Sequence, residues 1–95
     1  MTAPDALLAE FRRSIEQDLA ALRVAMAAHD LARVTYYAHR MRGACAFVAQ
    51  EELAEACHAL ELAGRGADEA RADTCCWLLV EAVRRFDEKG HRALP

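Results

Sequence analysis

This chain of 95 residues lacks most of the features that mark other classes of protein. Lysine and arginine number 12 against 15 acidic residues, so the net charge is -3. That balance offers no basic footprint for nucleic acid and no polybasic patch for an anionic membrane. No apolar run approaches the length of a membrane span, and "MTAPDALLAEF" at the start lacks the apolar core of a signal peptide. The four cysteines, Cys45, Cys57, Cys75 and Cys76, form no C-x-x-C pair. They read as reduced thiols used as small apolar residues, not as a disulfide framework. A cytoplasmic location is expected. Aromatics make up only 6% and prolines number two, so little interrupts a helix and alanine supplies much of the apolar content.

What is present is helical periodicity. No stretch alternates like a strand. In the first segment Thr2 is placed as an N-cap. Leu8, Phe11, Ile15, Leu19, Leu22 and Met26 then recur at three- and four-residue steps, to an end near Ala28 or His29. Asp30 caps a second helix with the stripe Leu31, Val34, Ala38, Met41, Cys45 and Val48. A third starts near Gln50, uses Leu53, Cys57 and Leu60, and ends at "GRG", Gly64 to Gly66. A fourth covers about residues 68–89 through Ala72, Cys75, Leu79, Ala82, Val83 and Phe86, with Gly90 as a stop and "HRALP" as a tail. Four amphipathic helices with short links predict one all-α domain over residues 1–95, an up-down antiparallel four-helix bundle.

The second helix holds the residues with chemistry. Its core stripe centres roughly 135° from His39 at 3.6 residues per turn, which turns His39 to solvent. Residues three and four positions away share its surface: Thr35, Tyr36, Arg42 and Gly43, with Ala46 beyond. Gly43 costs about 1 kcal/mol relative to alanine inside a helix, so some gain must offset it. Clearance around the imidazole is that gain, and Ala46 keeps the next turn low. Arg42 adds a permanent charge able to meet phosphate oxygens. An exposed histidine in isolation means nothing; with these neighbours it describes an accessible nucleophile.

The stretch "AHRMRGACAFVAQEELAEACHALE" resembles the signature of histidine-containing phosphotransfer (HPt) domains. His39 matches the phosphorylated histidine, Met41 the apolar residue after it, and Gly43 the motif glycine. Ala44, Cys45 and Ala46 fill the small-residue run, and Val48 matches the apolar position. Leu53, Cys57, Leu60 and Glu61 match the helix that follows. Two positions depart from the pattern: Arg42 replaces a lysine, and Ala49 replaces a glycine. The resemblance implies a phosphocarrier without autokinase activity. His39 would accept a phosphoryl group from a receiver-domain aspartate and pass it to another. Arg42 would stabilise the phosphate, and Gly43 and Ala46 would leave steric room. Thr35, Tyr36, Arg40, Gly43 and Phe47 would form the receiver-binding surface. No cofactor or metal of its own is implied; Mg2+ belongs to the partner receiver. The partners implied are receiver domains or a hybrid sensor kinase.

Two other readings start from the same residues. Glu55 to His58 and Glu88 to His91 are Glu-x-x-His pairs of the kind di-iron bundles use, but the second helix has no acidic residue to complete such a site. A docking module that carries no phosphate would need neither His39 nor Gly43. Trp77 and Val80 lie off the main stripe of the fourth helix, where they either widen the core face or form a dimer contact. The expectation is a monomer.

Overall fold

The structure, a computed structural model, describes residues 5–92, with side chains placed through residue 89. Four helices follow one another: α1 (Asp5–Ala27), α2 (Leu31–Phe47), α3 (Glu51–Arg65) and α4 (Glu69–Arg92). Each packs against the next in sequence, while α1 and α4 touch only sparsely. The result is the four-helix bundle that the stripes predict. The proposed cap at Thr2 lies outside the described residues.

All three links have one construction. Each spans three residues, 28–30, 48–50 and 66–68, and its middle residue is left-handed: His29 (φ 57), Ala49 (φ 59) and Ala67 (φ 53). The amide of the third residue reaches back to a carbonyl five positions earlier: Asp30 to Ala25 (2.9 Å), Gln50 to Cys45 (2.9 Å) and Asp68 to Ala63 (3.1 Å). A second bond closes each link, from His29 to Met26, Ala49 to Ala46 and Ala67 to Gly64. This is the Schellman pattern, which satisfies carbonyls that a helix end leaves without partners. The third residue then starts the next helix. The side chains of Asp30 and Asp68 accept from the Arg33 and Arg71 amides, at 3.1 and 3.0 Å. Gln50 makes no such bond.

The third helix ends within "GRG" as expected: it runs through Gly64 to Arg65, Gly66 caps it with φ -79, and Ala67 takes the left-handed turn. One expected end is corrected. Gly90 does not stop α4, which continues to Arg92. The left-handed place in each link falls to a residue other than glycine, and no described glycine has positive φ. Alanine is strained in that region, where glycine is not. Ala49→Gly is therefore expected to stabilise the fold by about 1 kcal/mol. Thermal or urea unfolding measures it; equal or lower stability would refute the strain.

The core joins the stripes with small shifts of register. Phe11, Ile15, Leu22 and Ala25 are buried on α1, and Val34, Ala38, Met41 and Cys45 on α2. From α3 come Leu53, Cys57, Leu60 and Ala63, and from α4 Ala72, Cys76, Leu79, Ala82 and Val83. Cys76 takes the buried place expected for Cys75, which is half-buried. All four thiols are free, and burial pushes that of Cys76 up, as suits a small apolar group. Phe86 closes one end edge-on to Phe11 at 5.6 Å, with the Arg12 guanidinium 5.2 Å from its ring centroid.

Two carboxylates are also buried, Asp18 on α1 and Glu61 on α3. Both sit on apolar stripes by their spacing. Each is met by arginine from a neighbouring turn or helix, and Glu61 leads to the site.

Candidate functional site

His39 stands at mid-length of α2 with its side chain 60% exposed. The core residues Ala38 and Met41 face the other way and are fully buried, which holds the imidazole outward as the helical wheel predicts. Its Nδ1 lies 3.0 Å from Glu61 Oε2 on α3. A carboxylate can only accept, so Nδ1 carries the hydrogen and donates it. Nε2 is then the nitrogen with the free lone pair.

Glu61 has no exposed surface, yet three positive or polar groups gather on it. Arg65, one turn on along α3, places Nη2 2.5 Å from Oε2. Arg42, one turn on from His39, places Nε 3.4 Å from Oε1. That oxygen has no hydrogen-bond partner of its own. Arg42 also donates from Nη1 to Nδ1 of His58 at 2.8 Å, so His58, exposed on α3, carries its own hydrogen on Nε2. The arrangement is a buried carboxylate bracketed by two guanidiniums, with one imidazole bonded above it.

Gly43 lies one turn on from His39, on the exposed side of α2. A Cβ built there would meet nothing within 4 Å. Core packing therefore does not demand a glycine here, and the space beside His39 is open. Ala46 is exposed on the next turn.

The remaining candidates divide. Tyr36 and Phe47 are exposed, Phe47 at 77%, and they bracket the same outward side of α2. Tyr36 rests edge-on against Tyr37 at 5.1 Å. Arg40 is exposed at its tip, and its Nε donates to the buried Asp18 of α1 at 3.1 Å, so it also ties α2 to α1. Thr35 sits apart from this surface. It is half-buried, and its hydroxyl donates to the Leu31 carbonyl at 2.8 Å. There α2 presses on Gly64 of α3: a Cβ at Gly64 would lie 2.3 Å from Thr35 Oγ1 and 3.4 Å from the Leu31 carbonyl oxygen. Thr35 is thus part of the α2–α3 seam rather than a free contact, and the same closeness explains the glycine in the last turn of α3. Gly64→Ala is expected to lose about 1–2 kcal/mol, as overpacking outweighs the gain in helix propensity. Adding Thr35→Ala should recover most of that loss. A Gly64→Ala protein as stable as wild type would show the seam to be loose.

Among the described residues no three His, Cys, Asp or Glu side chains converge as a metal site would require. His91 lies among residues whose side chains are not described. Among the described residues no helix is long and apolar enough to cross a membrane.

The role of Glu61 was not evident from sequence, although a signal existed. It follows Leu60 on the core side of α3 and precedes Arg65 by four residues, a charge pair at helical spacing. What the spacing could not supply was the partner across α2.

The fold and the site define a class: an all-helical bundle that exposes a histidine above a buried glutamate, beside a glycine that core packing does not require. The family model of the Hpt domain matches residues 6–89, and the chain belongs to that family. Hpt domains serve histidine phosphotransfer in phosphorelays and are phosphocarriers rather than kinases. They interact with receiver domains and kinases. No curated protein and no solved structure matches the chain.

Proposed function

We propose that His39 is the phosphoryl-carrying residue and that Nε2 is the atom that carries it. The observation behind this reading is the His39–Glu61 bond, which engages Nδ1 and leaves Nε2 outward beside the open surface at Gly43. The Nε2 lone pair attacks the phosphorus of a receiver's aspartyl phosphate. The phosphorus–oxygen bond breaks, and its electrons return to the aspartate carboxylate. The imidazole becomes cationic as the new bond forms, with its remaining hydrogen on Nδ1 facing Glu61. Reversal onto a second receiver aspartate completes the relay.

Such transfer consists mostly of positioning and charge stabilisation. Arg42 and Arg65 bring positive charge to the rim where phosphate oxygens would lie. Of the two, Arg42 is the one placed on α2 with the nucleophile. Its engagement with Glu61 and His58 means that it swings, or shares its fork, to reach phosphate. The receiver brings its own divalent metal, and this chain contributes none. Tyr36, Phe47 and the bare surface at Gly43 make the docking face, with Arg40 at its edge; aromatic side chains left in water on one side are what such a face offers.

Incubation with a phosphorylated receiver tests the reading directly. The expected product is an acid-labile, base-stable label on this chain, and absence of label with every receiver tried would count against it.

Gly43→Ala separates docking from folding. With open space around the added methyl, the free protein is expected to gain about 1 kcal/mol from helix propensity. Phosphotransfer should slow all the same, because the methyl stands where the receiver approaches. A variant that is more stable and transfers at the wild-type rate would remove Gly43 from the docking face.

A further inference from the structure

The least packed seam of the bundle lies on the side away from α2 and α3, where α1 and α4 touch sparsely. A hollow of about 260 Å³ opens there, lined by Arg23 and Met26 of α1 and by Asp73, Cys76, Trp77 and Val80 of α4. Trp77 does not widen the core: it stands 63% exposed at the hollow's edge. Burying an indole removes roughly 150–250 Å² from water, more than most single side chains, and tryptophan is the residue most enriched among those that dominate interfaces. Arg23 and Asp73 are both exposed, and neither makes an ion pair among the described residues, where most other arginines do.

One face therefore carries a protruding aromatic, a hollow beside it, and one unpaired charge of each sign on opposite helices. Such a patch can complement itself about a twofold axis, where residue i meets j and j meets i. A second copy supplies the opposite charge for both Arg23 and Asp73 from the same patch. We propose that this face binds a second copy of the chain. Trp77 of each protomer enters the other's hollow against Met26 and Val80, and Arg23 of each pairs with Asp73 of the other, twice per dimer. The interface uses α1 and α4 and leaves His39, which faces α3 from α2, open on both protomers. A dimer would thus present two carriers at once.

Sedimentation of the full chain from micromolar to millimolar concentration tests this. The expected result is a concentration-dependent monomer–dimer equilibrium. Trp77→Ala should be monomeric with unchanged helical circular dichroism. Arg23→Asp and Asp73→Arg should each weaken the dimer by about tenfold or more, since each sets like charges together twice. The double variant, which restores both pairs with signs exchanged, should dimerise again. A wild-type chain that stays monomeric throughout overturns the proposal. So does a dimer that survives Trp77→Ala and both single reversals, or a double variant that remains monomeric.

Discussion

His39→Gln is expected to abolish phosphoryl acceptance and leave the bundle folded. The two halves of that expectation have separate causes. The imidazole is more than half exposed and its one hydrogen bond runs to Glu61, so little packing is lost with it. A glutamine amide can still donate to Glu61 Oε2, which keeps the buried carboxylate from losing a partner. Stability should stay within about 0.5 kcal/mol of wild type, as for exposed positions in general. The chemistry has no such substitute. An amide nitrogen has its lone pair delocalised into the carbonyl and does not attack phosphorus. Labelling from a phosphorylated receiver, read beside circular dichroism, decides the matter. Label on His39→Gln would move the carrier site elsewhere, and His29 and His58 would be the candidates to examine.

Much of this molecule could be read from spacing. The stripes gave four helices and nearly all the core, because three-and-four periodicity is a property of the chain itself. The outward face of His39 followed from the same wheel. What spacing missed depended on contacts between helices. Asp18 and Glu61 lie on apolar stripes, and only the approach of Arg40, Arg42 and Arg65 makes their burial tolerable. Thr35 shares the surface of His39 on a wheel, but the close approach to Gly64 draws it into the seam with α3. The end of α4 shifted for a different reason: glycine was expected to stop it at Gly90, whereas the helix runs on to Arg92, and the left-handed residues of the three links are His29, Ala49 and Ala67. In α3 the glycines serve other ends: Gly64 serves helix packing and Gly66 the cap. Gly43, by contrast, stood out in the sequence because its cost in a helix had no local justification, and the space around it is open.

Stability and rate should part company at Glu61. Glu61→Gln keeps an acceptor for Nδ1 and removes the charge. As Nε2 forms its bond to phosphorus, the ring becomes cationic, and a carboxylate 3.0 Å from Nδ1 stabilises that charge more than an amide does. A hydrogen bond to a charged group is worth about 1.5–3 kcal/mol, so transfer to His39 should slow by roughly 10- to 100-fold. The fold should tolerate the same change. Removing one member of a buried ion pair is costly when it strands the other in the interior. Here the partners are not stranded: Arg42 is 36% exposed and Arg65 59%, and both can turn to water. The carboxylate itself meanwhile bears a desolvation cost, with Oε1 lacking any hydrogen bond. Glu61→Leu is therefore expected to unfold within about 1 kcal/mol of wild type while transferring phosphate more slowly still, since its side chain can neither hold the tautomer nor balance the cation. Unfolding by urea and transfer from a phosphorylated receiver, measured on the same two variants, test both halves. Wild-type transfer rates in both would leave Glu61 with no part in the chemistry, and a loss of several kcal/mol would mean that the two arginines depend on it to remain where they are.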